Sequence, residues 1–185
     1  MSADLWVFGY GSLMWDPGFP HREARAARLI GYHRALCVLS VRNRGTRDGP
    51  GLALGLARGG SCRGIAFRIA GTDADAARDY LWEREMANNA YHARVLPVRL
   101  LVAADAGASM VDALVFVSRR DHPQHMAGLT PVEAARLVAQ GAGLYGTALD
   151  YLRNTVAHLD DFGINDGPLH RVLALAEALA AGRST

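Results

Sequence analysis

The chain has 185 residues, of which 50% are hydrophobic and 21% charged, with a formal net charge of +2 at pH 7. This length accommodates one domain with a sizeable core and is short for two. The low net charge and the scattered arginines exclude a surface built for nucleic acid or for a membrane, so a small molecule is the expected partner.

Short β-type runs, separated by glycine, proline and charged turns, occupy the first two thirds of the chain. They predict about six strands. One segment in this part, residues 73–86, has helical spacing instead, with Thr72 as a plausible N-cap. The predicted strands cover residues 5–8, 35–41, 52–57, 64–70, 94–103 and 113–117.

The last third is predicted to be helical. Thr130, Pro131 and Glu133 combine an N-cap, a first-turn proline and a capping-box glutamate, which indicates a helix ending near Gly141. Two further helices are expected over 147–159 and 168–181, the second capped by Asp166 or Gly167 and closed by Gly182. Strands, one inserted helix and terminal helices favour a single α+β domain over residues 1–185.

Compartment and processing follow from simple features. Cys37 and Cys62 lack the spacing of a metal knuckle or a redox pair, so we expect buried thiols in a reducing compartment. Asp4 precedes the first apolar run and Gly9 interrupts it, which argues against a signal peptide. No window reaches the roughly 18 apolar residues of a membrane span. We expect a soluble cytoplasmic protein, a monomer or weak dimer.

The opening stretch, LWVFGYGSLMW at 5–15, can be compared with three known glycine-loop motifs. The P-loop is excluded because its lysine is missing, and the dinucleotide fingerprint because Met14 stands where its third glycine should be. A nucleophile elbow would need glycines two residues before and two residues after Ser12, where Tyr10 and Met14 stand. What remains is a strand end whose loop lets the N–H groups of Gly11, Ser12 and Leu13 converge on an anionic or carbonyl oxygen. An ordinary turn is the alternative.

Glu85 is the second candidate. On a helical wheel, Ala74, Ala77 and Leu81 share one stripe, and Glu85 continues it, whereas Glu83 points to nearly the opposite side. A carboxyl turned towards an apolar interior acquires a raised pKa suited to general acid–base work. The alternative is a structural ion pair with Arg84, Arg78 or another arginine.

The histidines give weaker signals. His122 and His125 are three residues apart, but Pro123 lies between them and no third ligand has an obvious spacing, so we predict a solvated loop and no metal site. No nucleophile, base and acid can be grouped from spacing alone.

Residues 6–19, WVFGYGSLMWDPGF, closely resemble the opening of the ChaC-type γ-glutamylcyclotransferases. Further matches follow in the same order and extend the resemblance over nearly the whole chain. They are RGT at 44–46, PGLALGL at 50–56, GGSCRGIAFRI at 59–69, LWEREM at 81–86, YGTALDYLRNT at 145–155 and GINDGPL at 163–169.

The resemblance implies a compact mixed β-barrel fold and a cytosolic enzyme that releases 5-oxoproline and cysteinylglycine from glutathione without a cofactor. The family's substrate-cradling loop corresponds to Tyr10, Gly11, Ser12 and Leu13. Its essential glutamate corresponds to Glu85, and a pocket tyrosine of a late helix corresponds to Tyr151. Arg44 is a further candidate for orienting the substrate.

Two segments depart from the family pattern. Residues 40–43 (SVRN) replace a more polar stretch, which bears on substrate selectivity, and residues 86–90 (MANNA) replace a glycine pair before Tyr91. Two alternatives to the glutathione reaction stay open at this point. One is a cyclotransferase for other γ-glutamyl amines or amino acids, and the other is a non-catalytic γ-glutamyl-binding module.

Overall fold

The computed structural model describes residues 3–101 and 109–182. The chain divides into two compact units. The first comprises Met1–Arg34 and Leu56–Arg119, and the second comprises Ala35–Gly55 and Arg120–Thr185. The expectation of a single domain over residues 1–185 stays a prediction.

A closed five-stranded barrel confirms the α+β class. The strand order around it is β1-β3-β2-β4-β5, and β1 closes it by pairing antiparallel with β3 and parallel with β5. Its strands contribute much of the buried core, and Val7, Val98 and Val115 are fully buried. The strands are β1 (Leu5–Gly9), β2 (Glu23–Ser40), β3 (Gly51–Ile69), β4 (Tyr91–Leu100) and β5 (Ser109–Ser118).

Strands β2, β3 and β5 are longer than predicted, and β5 begins at Ser109 rather than at residue 113. The expected strands at 52–57 and 64–70 form the single strand β3, because Gly59 and Gly60 adopt positive φ inside the strand without ending it. In β2, residues 23–34 were not predicted because arginines and glutamate mask the alternation, although Ala27 and Leu29 are buried and Arg28 is exposed. Ala103, the end of the expected strand 94–103, lies outside the described residues.

Helix α1 (Ala74–Glu85) confirms the inserted helix. Ala74, Ala77 and Leu81 are its buried residues, as the wheel predicts. The expected cap was wrong, because the N-cap is Asp73 rather than Thr72, and no side chain bonds the first turn. The amphipathic stripe therefore positions this helix more than its cap does.

The helices α2 (Pro131–Gln140), α3 (Ala148–Asp161) and α4 (Gly167–Ala181) pack together in the second unit. At the start of α2 the capping box is complete: the Thr130 hydroxyl accepts from the Glu133 N–H, and the Glu133 carboxylate accepts from the Thr130 N–H at 2.8 Å. A short ribbon of β6 (142–143) and β7 (146–147) lies between α2 and α3. Among the described residues, no helix is long and apolar enough to cross a membrane.

Candidate active site

The glycine loop follows β1 and tightens at once into a 3₁₀ turn over Ser12–Met14. The turn is closed by the Met14 N–H donating to the Gly11 carbonyl at 2.8 Å and the Asp16 N–H donating to the Ser12 carbonyl at 2.9 Å. Tyr10, Gly11 and Leu13 are buried, and Ser12 is half-buried. The loop is thus an ordered part of the first unit.

Three successive N–H groups of this loop have no acceptor in the part of the chain that the structure describes. Within residues 3–101 and 109–182, the amides of Gly11, Ser12 and Leu13 donate to no protein atom. A buried amide without a partner is costly, so nearly all such groups in folded proteins meet water or a ligand. This arrangement favours the amide cradle over the ordinary turn.

Two contacts hold Tyr10, the residue that leads into the loop. Its hydroxyl donates to the Phe116 carbonyl at 2.9 Å, so the ring is anchored in the barrel core. Its own carbonyl accepts from Nε of the buried Arg34 at 2.5 Å. In a trans peptide the C=O and the following N–H point in opposite directions. Because Arg34 binds the Tyr10 carbonyl, the N–H of Gly11 in the same peptide group points away from Arg34.

Glu85 is the last residue of α1, and its side chain is 18% exposed. Burial raises the pKa of this carboxyl, and the neighbouring Arg84 charge opposes that rise. Glu83 is exposed, as the wheel predicts. Glu85 therefore combines the two features considered for it from the sequence. Its carboxyl is desolvated, and it also forms an ion pair with Arg84, whose Nε lies 3.3 Å from Glu85 Oε1.

Arg84 brings the glycine loop and Glu85 together. While its Nε faces Glu85, its Nη2 donates to Ser12 Oγ at 3.0 Å and its Nη1 donates to the Asp16 carbonyl at 2.8 Å. The two sequence candidates of the first unit are thus joined by one guanidinium group.

Tyr151 belongs to the second unit, on α3. The Arg44 guanidinium lies over its ring, 5.1 Å from the centroid, and its hydroxyl accepts from the Leu54 N–H at 3.4 Å. Arg44 also donates to the Tyr145 carbonyl. Tyr151 and Arg44 form a second polar group whose aromatic face and cation suit a ligand with carboxylate and amide ends.

The two departures from the family pattern have local structural explanations. Asn89 takes φ +55° in the turn after α1, a left-handed conformation that asparagine tolerates better than other non-glycine residues. Ser40 accepts the Arg44 N–H on its hydroxyl at 2.9 Å, which closes the turn that presents Arg44. The altered segments therefore still form ordered turns.

Among the described residues, Cys37 and Cys62 are buried and form no disulfide, as expected. In the part of the chain that the structure describes, no group of three or more His, Cys, Asp or Glu side chains is arranged to hold a metal ion.

Sequence reasoning did not single out Arg34, and it treated Arg84 only as a partner that would make Glu85 structural. Arg34 bonds main-chain carbonyls of Tyr10 and Arg63, which carry no sequence signal. For Arg84 a signal was available, because it adjoins Glu85 on the same helix end.

Comparison with known proteins supplies the family. A sequence model of ChaC-like proteins matches residues 5–179. A glutathione-specific γ-glutamylcyclotransferase of Escherichia coli (strain K12) is 34% identical over 177 residues, covering 96% of this chain and 74% of that protein. A protein of the same name from Schizosaccharomyces pombe is 33% identical over 166 residues, covering 81% of this chain and 80% of that protein.

The fold has a solved counterpart. A crystal structure of a γ-glutamyl cyclotransferase specific to glutathione from yeast superposes with a TM-score of 0.86 at 20% identity, covering 96% of this chain and 97% of that one. At this identity the likeness shows the fold alone. The sequence match over nearly the whole length shows that the chain belongs to the ChaC-like protein family.

Proposed function

We propose that this protein is a glutathione-specific γ-glutamylcyclotransferase that converts glutathione into 5-oxoproline and cysteinylglycine. The observation that carries the proposal is the desolvated Glu85 carboxyl, joined through Arg84 to a loop with three unpaired amides. The names of the relatives in Escherichia coli and Schizosaccharomyces pombe support the choice of substrate.

The reaction is an internal displacement. The α-amine of the γ-glutamyl group forms a bond to its own side-chain carbonyl carbon, a five-membered ring closes, and the C–N bond to cysteine breaks. Well-oriented intramolecular reactions reach effective molarities on the order of 10⁵ M or more, so holding the chain folded removes much of the barrier. No enzyme nucleophile is required.

Proton transfer falls to Glu85. In the proposed mechanism its carboxylate takes a proton from the α-ammonium, which frees the nitrogen lone pair for attack. Glu85 then passes this proton to the departing nitrogen of cysteine. The second proton, which the attacking nitrogen must lose to become the lactam N–H, follows the same route through Glu85, so cysteinylglycine leaves with a protonated amine. A raised pKa suits both steps, because a base with a pKa nearer the working pH also returns the proton readily.

The loop supplies hydrogen-bond donors. The amides of Gly11, Ser12 and Leu13 donate to the substrate oxygen that carries negative charge, which is either the α-carboxylate or the oxyanion formed during attack. An analogue with an amidated α-carboxylate separates the two roles, since a raised KM indicates that the loop binds the carboxylate, whereas unchanged kinetics indicate that the loop binds the oxyanion. Tyr10 positions the loop from its buried hydroxyl contact.

The remaining assignments also belong to the proposal. Tyr151 and Arg44 are proposed to take part in binding the substrate, through the aromatic ring and the guanidinium group that lie together. We further propose one working domain over residues 1–185, a monomer or weak dimer, and a cytoplasmic location where glutathione is available as substrate.

The test is purified protein incubated with glutathione, with products identified by mass spectrometry. We expect equimolar 5-oxoproline and cysteinylglycine, and no free glutamate, because water takes no part in the reaction. Glutamate as the main product would mean hydrolysis and refute the mechanism. A thermal shift with glutathione but no product would indicate a binding module, and faster turnover of γ-glutamyl-alanine would indicate the broader cyclotransferase.

Glu85→Gln and Glu83→Gln form the matched pair for the catalytic assignment. Both lose one carboxylate in α1, but only Glu85 is desolvated and joined to the loop. Loss of a positioned acid–base group costs roughly 10²–10⁴-fold, so we expect kcat of Glu85→Gln to fall by that factor and Glu83→Gln to stay near wild type. Full turnover by a folded Glu85→Gln protein would remove Glu85 from the mechanism.

A further inference from the structure

Arg84 makes more polar contacts than an arginine that only neutralises a carboxylate. It reaches Glu85 through Nε at 3.3 Å, Ser12 Oγ through Nη2 at 3.0 Å and the Asp16 carbonyl through Nη1 at 2.8 Å. Ser12 and Asp16 lie at the start and just past the end of the 3₁₀ turn. One rigid planar group therefore spans the loop and the helix end.

The side chain of Tyr80 also restrains the Arg84 guanidinium. Tyr80, one helical turn before Arg84, accepts from Nη1 at 2.8 Å and stacks its ring 5.9 Å from the guanidinium carbon. Tyr80 is itself fitted against Gly18, where φ is +74° and an added Cβ would lie 2.0 Å from the tyrosine oxygen. The loop, the tyrosine and the carboxylate thus constrain the same side chain from three directions.

We infer that Arg84 is a positioning residue for the proposed cyclisation, which holds the Ser12 loop at a fixed distance from Glu85 and keeps a positive charge beside the Glu85 carboxylate. This inference rests on the proposed function. It assigns to Arg84 a role that its contacts with both groups make possible. A lysine cannot reproduce this role, because the guanidinium holds donors on three separate nitrogens in one rigid plane, whereas the ammonium donates from a single nitrogen.

The electrostatic part has a definite sign. Burial raises the pKa of Glu85, and the Arg84 charge lowers it. Within the described residues, Arg84 is the charged group in contact with this carboxylate. The other partners of the Arg84 guanidinium are uncharged: the Ser12 hydroxyl, the Asp16 main-chain carbonyl and the Tyr80 phenol. Removing the charge therefore lets desolvation act alone, and Glu85 stays protonated to higher pH.

The experiment compares Arg84→Gln, Arg84→Lys and the control Arg78→Gln. Arg78 lies on the same helix and pairs with Asp75 at the surface, so its replacement removes one positive charge without touching the loop. The readouts are the pH profile of kcat/KM with glutathione and the ¹³C titration of the Glu85 side-chain carboxyl, assigned by its absence in Glu85→Gln.

For Arg84→Gln we expect the acidic limb of the profile and the ¹³C titration to move together to higher pH. The loss in kcat/KM is on the order of tenfold at the acidic end and shrinks as the pH rises. For Arg84→Lys we expect a smaller movement, because the charge remains, and a raised KM at every pH, because the contacts with Ser12 and Asp16 are lost. Arg78→Gln should resemble wild type.

Two outcomes overturn the inference: an Arg84→Gln profile that coincides with that of Arg78→Gln, or a uniform loss of activity with an unmoved titration, which marks a merely structural residue. If Arg84→Gln does not fold, Arg84→Lys decides, and an unchanged KM contradicts the positioning role. A wild-type protein that yields no 5-oxoproline refutes the proposed function instead, and the ¹³C titration still tests whether Arg84 controls Glu85.

Discussion

Arg34 offers the sharpest test of how the loop is held. It is 8% exposed, and it donates from Nε to the Tyr10 carbonyl at 2.5 Å and from Nη2 to the Arg63 carbonyl at 2.6 Å. Methionine is close to arginine in length but carries no donors, so Arg34→Met fills the space and removes both bonds. The first bond orients the peptide that begins the loop, and the second joins the loop to β3.

The magnitude follows from these two bonds. A hydrogen bond from a charged group contributes about 1.5–3 kcal/mol, and a buried carbonyl left unpaired adds a cost, while removing a buried charge returns part of it. We therefore expect Arg34→Met to lower the free energy of unfolding by about 3 kcal/mol. For a chain of this size each kcal/mol shifts Tm by about 2–4 °C, so the expected decrease is roughly 6–12 °C.

The assay is thermal unfolding followed by circular dichroism, with Arg28→Met as the control. Arg28 lies on the same strand with its side chain exposed, and a surface replacement of this kind changes stability by about 0.5 kcal/mol or less. Below the melting temperature, we also expect Arg34→Met to bind glutathione more weakly than Arg28→Met does, because the Gly11 amide is no longer aimed. Equal melting temperatures for the two variants would refute the reasoning.

Two further predictions concern the end of α1. Because burial raises the pKa of Glu85, the stability associated with its protonated form is fully present below the ordinary value of 4.5 and is lost as the pH rises through the folded-state pKa. Glu85→Gln should therefore be more stable than wild type at neutral pH, and this difference should shrink towards zero below pH 4.5. Urea unfolding at several pH values measures the difference in free energy of unfolding, and a difference that does not change with pH would contradict the prediction. Asn89→Val should lower the free energy of unfolding by about 1–2 kcal/mol, because valine is strained at φ +55°, whereas Asn89→Gly should stay within about 0.5 kcal/mol of wild type. Thermal unfolding compares the two variants, and equal melting temperatures would contradict strain at this position.

Local patterns in the sequence were sufficient for the elements that short-range physics determines. The Thr130–Glu133 capping box marked the start of α2, and the wheel of α1 separated the inward Glu85 from the outward Glu83. Both predictions use residues within two turns of one another. The α+β class followed from the order of such elements.

Features that depend on distant partners were not accessible in this way. The pair Gly59 and Gly60 predicted a turn, yet β3 continues through both glycines, which adopt positive φ inside the strand. Arg34 is bonded to carbonyls 24 and 29 positions away, and every residue has a carbonyl, so no residue type announces the contact. Even the family resemblance named the loop and the glutamate without showing how they are connected.

The chemistry of ring closure explains why arginines dominate the proposed site. The substrate carries its own nucleophile, so the enzyme needs donors at fixed places and one base, and the rate depends on geometry more than on reactive side chains. Unpaired amides in a buried loop are unfavourable, so other contacts must keep the loop from rearranging to pair them. Arg34 holds the loop at its start through the Tyr10 carbonyl, and Arg84 holds it from Ser12 to Asp16 while facing Glu85. We therefore expect a variant that loosens either arginine to lose substrate affinity before it loses the fold.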